Sequence, residues 1–320
     1  MEHEGKQRGR GRGTGVVGRY ARALYGFTLL VSALTAVVGL AVLAGGFAAA
    51  RGGFESVREY ADENIANEDS YWAYADGGMD PLVRTGAVVF VLLLLLGLLV
   101  VSVLHTAYAV GESHAARGGG PLGTRELWRR ARARFPAALT VNALTGLAVG
   151  AVELAGLVLF SFVDGGDVPG VEPTPLHETA SPQYALVGWV LPIAIWSLGG
   201  PLLYARLALA TADTVLERRS PFAALRRSWV LTRRARGPAL GLGVLVTGAA
   251  VLVFWLARYP AAPLAHFAGL GMLRLSGDNV WMTGVLMKVF PTAVGLLLLP
   301  PLVMPLVCAG FARLHARLNT

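Results

Sequence analysis

The stretch TGAVVFVLLLLLGLLVVSVLHTAYAVG, residues 85–111, contains no charged side chain. A helix needs about 20 residues to cross about 30 Å of hydrocarbon, so this stretch is long enough to span a membrane. On either side of it, five further runs carry little or no charge, and each is also long enough to cross. The spans are predicted near residues 23–50, 83–111, 136–163, 183–212, 237–257 and 287–312.

These runs predict an all-α fold, a polytopic integral membrane helical bundle with about six transmembrane helices. Helices are expected because hydrocarbon offers no water to the backbone, so every amide must be satisfied within its own segment. A single membrane domain, residues 23–312, is flanked by a basic tail, residues 1–22, and a second tail, residues 313–320. The charged fraction of 15% agrees with this class, because soluble domains average about 25%.

The segments between the spans alternate in charge. Their net charges are +4 for residues 1–22, −6 for 51–81, +4 for 111–135, −4 for 164–182 and +6 for 206–237. Basic residues in short loops stay on the cytoplasmic side during insertion. The pattern therefore predicts a multi-pass protein of the cell membrane with both the N-terminus and the C-terminus in the cytoplasm. Topology and contact with anionic lipid headgroups account for the net charge of +8, and no nucleic-acid partner is predicted.

The fourth and sixth spans contain residues that disturb helices. These residues are Pro192, Gly199, Gly200 and Pro201 in the fourth span, and Pro291, Pro300, Pro301 and Pro305 in the sixth. Two interpretations remain open: packing kinks, or broken helices that expose backbone to a substrate, as in transporters. The apolar residues 261–273, in the last outer loop, are too short to cross and either lie on the outer surface or re-enter the membrane partway.

Two cytoplasmic connectors are predicted to form basic amphipathic helices in the membrane interface. Each begins at a small or capping residue followed by proline, and each carries apolar side chains on one side and arginines on the other. The apolar sides hold Thr124, Leu127, Trp128, Ala131 and Phe135 in the first helix, and Phe222, Ala224, Leu225, Trp229, Leu231 and Ala235 in the second. The predicted lipid or partner contacts are Arg125, Trp128, Arg129, Arg132, Arg226, Arg227, Trp229, Arg233 and Arg234. The alternative is that these helices only cap the bundle from the cytoplasmic side.

The two connectors also resemble each other. The segments WRRARARFPAAL, residues 128–139, and WVLTRRARGPAL, residues 229–240, both run from a tryptophan through an Arg-Arg-Ala-Arg core to a proline that enters the next span. This pattern predicts an internal duplication, a common feature of membrane proteins.

Four ionisable residues are predicted within the spans or at their ends: Glu153, Arg206, Asp213 and Glu217. A charge near the bilayer centre costs at least about 2.5–3.5 kcal/mol, so such residues are candidates for function. Glu153, in the outer half of the third span, either lines a polar path or is a tolerated acid near the outer interface. Arg206 is expected either to snorkel toward the interface or to pair with Asp213.

The sequence predicts no catalytic, cofactor-binding or metal site, and no enzyme. His177 and Glu178 lack the second histidine of a zinc-protease helix, and no nucleophile elbow, P-loop or dinucleotide fingerprint occurs. The six histidines are scattered, and the single cysteine, Cys308, lies in the last span. Arginine outnumbers lysine 26 to 2, which indicates a GC-rich and prokaryotic genome.

Residues 206–232, RLALATADTVLERRSPFAALRRSWVLT, combine several features. Arg206 lies in the inner half of a span, Glu217 follows a hydrophobic stretch, and Pro221 opens an AALRRSW helix. This segment resembles the signature of the prokaryotic membrane domain that is fused to some glycerophosphodiester phosphodiesterases and also stands alone. The resemblance implies a multi-span membrane protein of lipid or envelope biology. The chain departs from the fused members in having no soluble catalytic barrel, so hydrolase activity is not implied.

The leading prediction is a non-enzymatic integral membrane protein that contacts anionic membrane lipids, or a membrane or cytoplasmic protein partner, through its basic amphipathic helices. The alternative is a small transporter or permease component that uses the kinked fourth and sixth spans together with Glu153.

Overall fold

The computed structural model describes residues 15–66, 79–117, 119–120, 122–171, 181–234 and 236–318. Helices dominate these residues, and no strand occurs among them. The helices are α1 (Gly15–Ala49), α2 (Arg51–Ala66), α3 (Met79–Ala116), α4 (Thr124–Arg132), α5 (Phe135–Asp164), α6 (Pro182–Glu217), α7 (Pro221–Arg234), α8 (Arg236–Leu275), α9 (Val280–Leu302) and α10 (Met304–Leu318). Most of the predicted basic tail, much of both acidic loops, and the single residues Pro121 and Ala235 lie outside the described residues.

Six of the described helices, α1, α3, α5, α6, α8 and α9, include stretches that are long and apolar enough to cross a membrane. Their outward side chains are apolar; for example, Leu94, Leu154 and Leu252 are 56%, 58% and 59% exposed. A soluble monomer rarely exposes a continuous apolar surface of this extent, so lipid is the environment that fits these helices. The predicted class, an all-α multi-pass membrane protein with six long apolar helices, is confirmed.

The fifth apolar helix is longer than predicted, because α8 does not end at residue 257. Residues 261–273 continue α8 to Leu275 and form neither a separate surface segment nor a re-entrant turn. Arg258 marked the expected end, yet its guanidinium lies over a neighbouring tryptophan ring, 5.2 Å from the ring centre, and the helix passes through it. Pro260 and Pro263 also lie inside the helix, as membrane helices tolerate.

The last predicted span, residues 287–312, is divided between two helices. Helix α9 begins earlier, at Val280, because Asn279 caps it: the Asn279 Oδ1 accepts a hydrogen bond of 3.0 Å from the N–H of Met282. Val303 then separates α9 from α10.

Proline explains the break after α9. Pro305 has no N–H to donate to the carbonyl of Pro301, so one hydrogen bond of the α-helical ladder is missing beside the break at Val303. Helix α10 then extends to Leu318, and residues 313–318, which were predicted to be tail, are helical.

Helix α6 is irregular, in line with its predicted kinks. Two π-helical segments, Ala185–Val190 and Ile195–Gly199, alternate with α-helical ones, and Ala208 forms a turn before the last segment, Leu209–Glu217. Single π-helical turns are rare and often occur at functional sites.

The chain divides into two compact units. The first contains residues 102–248 and 306–320 together with the N-terminal segment. Its described core includes two clusters of alanine and valine side chains, whose small size lets helices approach closely. One cluster joins α3, α5 and α6, and the other joins α5, α6 and α7; the residues are Ala109, Ala138 and Val215, and then Val141, Ala210 and Ala224.

The second unit contains residues 24–101 and 249–305. In it, α2 packs against the start of α9 through Phe54 and Met282. Two hydrogen bonds reinforce this contact. The Asn279 amide donates to the Phe54 carbonyl at 3.0 Å, and the Arg58 guanidinium donates to the Gly277 carbonyl at 2.7 Å.

Candidate functional site

Helix α4 presents two different sides. Leu127 and Ala131, four residues apart, are buried in the protein. Arg125, Arg129 and Arg132 are exposed, and Trp128 between them is 39% exposed. We call Arg125, Trp128, Arg129 and Arg132 the α4 face. The helix is therefore anchored by its aliphatic residues and shows a tryptophan among arginines to its surroundings.

The charged side chains of α4 also pair along the helix. Glu126 accepts hydrogen bonds from Arg130 and Arg129, at 2.7 Å and 2.6 Å. The hydrogen bond from Arg130 is the main cause that lowers the pKa of Glu126 below its ordinary value. The pairs bridge successive turns of α4 and support the helical conformation of this short segment.

Helix α7 repeats this arrangement. Ala224, Ser228 and Thr232, spaced by four residues, are buried. The other side exposes two aromatic rings and two arginines, and we call it the α7 face. Its residues are Phe222, which is 74% exposed, Arg226, Trp229, which is 44% exposed, and Arg233.

The two faces correspond at three positions, the tryptophan and one arginine on each side of it. An arginine stands three residues before each tryptophan and another stands four residues after it, as Arg125 and Arg132 in α4 and as Arg226 and Arg233 in α7. The residues one before and three after each tryptophan are buried in both helices. The similarity of the two connectors therefore extends from their sequence to the side that each helix exposes.

The predicted apolar sides differ from the observed ones. The sequence analysis grouped Leu127 with Trp128, and Ala224 with Trp229, on sides expected to enter lipid. Instead, Leu127 and Ala224 are buried in the protein, whereas Trp128, Trp229 and Phe222 are exposed. Helical spacing shows which residues share a side, but it does not show whether protein or lipid covers that side.

Helix α7 is held by one residue of α6. The Ser228 hydroxyl donates to the backbone carbonyl of Arg206 at 2.7 Å, and the Thr232 hydroxyl lies 3.3 Å from the same oxygen. The Arg206 guanidinium lies 5.7 Å from the centre of the Trp229 ring, within reach of a cation–π interaction. Arg206 therefore positions α7. The predicted alternative, in which Arg206 pairs with Asp213, is not observed.

Asp213 is the centre of a buried ionic cluster in the first unit. Its side chain is 1% exposed. Its Oδ1 lies 3.3 Å from Arg227 Nε and 3.2 Å from His315 Nε2, and its Oδ2 lies 3.4 Å from Arg219 Nε. Glu217 adds a second carboxylate, 3.3 Å from Arg219 and 3.8 Å from Arg227. The cluster joins α6, α7 and α10.

The turn between α6 and α7 brings the arginines of this cluster into place. Arg218 ends α6 in the left-handed conformation, with φ of 56°, and so reverses the chain direction. Arg219 then points back toward the end of α6. Arg227, which was predicted to contact lipid, lies two turns along α7 on the side that meets Asp213.

The donor atoms of Asp213, Glu217 and His315 lie within 4.8 Å of one another, an arrangement that resembles a metal site. Two guanidinium groups already lie within 3.4 Å of the Asp213 carboxylate, however. A dication would meet both positive charges in a buried environment, where repulsion is strong. The cluster therefore fits an ion-pair network and does not fit a metal site.

The sequence analysis identified Asp213 and Glu217 but missed Arg219 and His315. Arg219 was counted with the basic connector. Its position next to the turn between α6 and α7 is the one local feature that could have predicted its contact with the end of α6. His315 was assigned to the C-terminal tail. It is buried, and the four-residue spacing of buried positions that it shares with Phe311 is the signal that would have placed it in a packed helix.

A second set of hydrogen-bonded polar side chains lies in the same unit, and it was also not predicted from the sequence. The Asn142 amide donates to the Ser102 hydroxyl at 3.0 Å, and the Thr211 hydroxyl donates to the Asn142 carbonyl oxygen at 2.8 Å. These hydrogen bonds tie α3, α5 and α6 together. Such bonds between membrane helices contribute about 0.6 kcal/mol on average.

Glu153 is half-buried in α5 and faces α6. The Trp196 indole N–H donates to the backbone carbonyl of Glu153 at 2.9 Å, and the Glu153 carboxyl group lies against Gly200.

The backbone of Arg234 belongs to α7, and the Arg234 side chain lies outside the described part of the chain.

No protein-family model, no curated protein and no solved structure matches this chain.

Proposed function

We propose that this protein is a non-enzymatic membrane protein that contacts anionic lipid headgroups through the α4 face and the α7 face. The observation that carries the proposal is the correspondence of the two faces. Each one exposes a tryptophan between arginines, and each is anchored by buried residues on the other side of its helix. A helix that only capped the bundle would have no need to expose an aromatic ring among arginines.

The physical basis is the chemistry of the membrane interface. Tryptophan concentrates at the headgroup level, where its ring is partly in the acyl region and its N–H is hydrated. Arginine forms bidentate hydrogen bonds with phosphate oxygens. Each basic residue at an anionic surface contributes about 1 kcal/mol, so the two arginines that bracket each tryptophan contribute about 2 kcal/mol per face.

The Asp213 cluster supports this function by positioning α7. Arg227 is drawn toward two carboxylates, so α7 keeps that side against the bundle and directs Arg226 and Arg233 outward. The resemblance to the membrane domain of glycerophosphodiester phosphodiesterases includes this segment. It agrees with a role in lipid or envelope biology and stays a prediction.

A lipid titration of the purified full-length protein in neutral detergent tests the proposal, with native mass spectrometry counting bound anionic and neutral phospholipid. The variants are R125Q/R132Q on the α4 face and R226Q/R233Q on the α7 face. The control, R51Q/R84Q, removes two exposed arginines elsewhere. Each face variant should bind anionic lipid about thirtyfold more weakly at its own face, because about 2 kcal/mol is lost. Equal binding by all three variants, or equal binding of neutral and anionic lipid, would contradict the proposal.

The orientation in the cell membrane is part of the proposal and has its own test. The charge pattern predicts that the α4 face is cytoplasmic and that α2 is outside. With Cys308 replaced by alanine, a single cysteine at Glu59 of α2 should react with an impermeant maleimide from outside intact cells. A cysteine at Arg129 should react only after the membrane is opened. The reverse pattern would overturn the predicted orientation.

A further inference from the structure

Glu153 is the ionisable residue inside the apolar length of α5. It follows Phe135 by eighteen residues and precedes Asp164 by eleven. At 1.5 Å per residue, it lies about 16 Å along the helix from the nearer end. Acidic residues at such positions are costly to insert and usually have a function.

The carboxyl group of Glu153 lies at a close contact between α5 and α6. A methyl group at Gly200 of α6 would overlap the Glu153 Oε1, so the Glu153 side chain would have to move to make room for it. Val149 borders the same space, and Trp196 of α6 donates its indole N–H to the Glu153 carbonyl at 2.9 Å. The carboxyl group therefore lies beside the backbone of Gly200 and the apolar side chain of Val149.

The section of α6 opposite Glu153 is not α-helical. Residues Ile195–Gly199 form a π-helical turn, and Gly200 and Pro201 follow it directly. Pro201 has no N–H, so the Ser197 carbonyl lacks its usual α-helical donor. The irregular section of α6 therefore meets α5 at the acidic residue Glu153.

The ionisable groups of the two helices are engaged elsewhere. The Tyr184 hydroxyl donates to Asp164 at 3.2 Å, Tyr204 packs on a phenylalanine of α10, and Arg206 lies over a tryptophan of α7. The acids at the end of α6 belong to the Asp213 cluster. Among the described residues, none forms an ion pair with Glu153.

The other helices that pack on α5 within this unit approach its opposite end. Helix α4 contacts it through Trp128 and Phe135, whose ring centres are 6.4 Å apart. Helix α7 contacts it at Val141, twelve residues before Glu153, and α3 contacts it at Ala138 and Asn142, fifteen and eleven residues before Glu153. The arginines of α4 and α7 are therefore about three turns or more away along α5.

The chemistry of this space selects the ligand. Hard metal cations such as Ca²⁺ and Mg²⁺ take about six or more oxygen ligands, and here one carboxyl group lies beside a glycine backbone and a valine side chain. A proton needs a single oxygen. We propose that Glu153 is a reversible proton-binding site inside the membrane. The carboxylate takes up a proton on one oxygen to form the neutral acid and releases it again, and no other bond changes. This site is separate from the α4 face and the α7 face and does not depend on them.

The test uses the full-length protein in lipid nanodiscs and the hydrophobic probe dicyclohexylcarbodiimide, which reacts with protonated carboxyl groups in apolar surroundings. Peptide mass spectrometry locates the adduct. We expect it at Glu153 and not at the exposed control residue Glu59. Its yield should fall by about tenfold for each pH unit above the midpoint of the titration. E153D should keep the labelling, and E153Q should lose it.

Infrared spectroscopy on the same samples gives a second readout that does not depend on the probe. The C=O band of a protonated carboxyl group should disappear as the pH rises in the wild type and should be absent in E153Q. If E153Q does not fold, the mapped adduct of the wild type still decides the question. No adduct at any pH, an adduct whose yield does not change with pH, or equal labelling of Glu59 would overturn the proposal.

Discussion

Replacing Asp213 by asparagine should destabilise the protein, because it removes the negative charge at the centre of a buried cluster and keeps the size of the side chain. The Arg227 and Arg219 nitrogens lie 3.3 Å and 3.4 Å from the carboxylate oxygens. At an effective dielectric constant of about 20, each such pair attracts by about 5 kcal/mol before desolvation is counted. Asp213→Asn loses both attractions.

Two effects reduce this loss. The Arg219 and Arg227 side chains are 39% and 30% exposed, so water can partly solvate the two guanidinium groups once the carboxylate is gone. The asparagine carbonyl still accepts one hydrogen bond. Removing one partner of a fully buried ion pair costs about 3–5 kcal/mol, and we therefore expect Asp213→Asn to cost about 3 kcal/mol.

The measurement is reversible unfolding of the purified protein in mixed micelles, followed by circular dichroism. A double-mutant cycle of Asp213→Asn with Arg227→Gln should give a coupling energy above about 1 kcal/mol, because the two groups interact directly. Glu59→Gln, a change of an exposed acid, is the control and should cost less than about 0.5 kcal/mol. A cost below about 1 kcal/mol for Asp213→Asn, or additive effects in the cycle, would refute the reasoning.

Three further changes test other parts of the structure. The Arg130 hydrogen bond lowers the pKa of Glu126, so the ionised Glu126 stabilises α4 fully above the ordinary carboxyl range, and this stabilisation is lost as the pH falls through the lowered pKa. Hydrogen exchange in α4 should become faster in that pH range. Glu126→Gln should remove this pH dependence. Gly200→Ala should cost about 1–3 kcal/mol in thermal unfolding because its methyl group meets Glu153, and the same change should be tolerated in a Glu153→Ala background. Asn279→Ala should cost about 1–2 kcal/mol and loosen the start of α9 in hydrogen exchange, whereas Asn279→Asp should keep the cap and lose only the bond to α2.

The ends of the spans show where prediction from sequence stops working. Residue 257 was taken as the end of the fifth span because the uncharged run ends there, before Arg258. The ring of Trp255 accommodates the Arg258 guanidinium, so the helix continues to Leu275. The effect of a charge or a proline on a helix depends on the side chains around it, and a hydropathy pattern does not contain them.

The α4 face and the α7 face were predictable in part. Periodicity placed Arg125, Arg129 and Arg132 together on α4, and the structure agrees. The same periodicity grouped Leu127 with Trp128, and the structure separates them, because Leu127 is covered by protein. A helical wheel gives directions around an axis, and only the neighbouring helices decide which direction faces lipid.

The sequence by itself determined the class of the protein. Transfer of about 20 apolar residues into hydrocarbon is a local property, and six such runs are sufficient to predict a multi-pass helical protein. Tertiary structure alone decided which charges distant in the sequence meet. His315 is 102 residues from Asp213 along the chain, and only the packing of α10 beside α6 brings them within 3.2 Å. The same holds for Glu153 and Gly200, whose contact depends on the approach of two helices. The reason is that burial and pairing are properties of the space between elements, and no single segment contains that information.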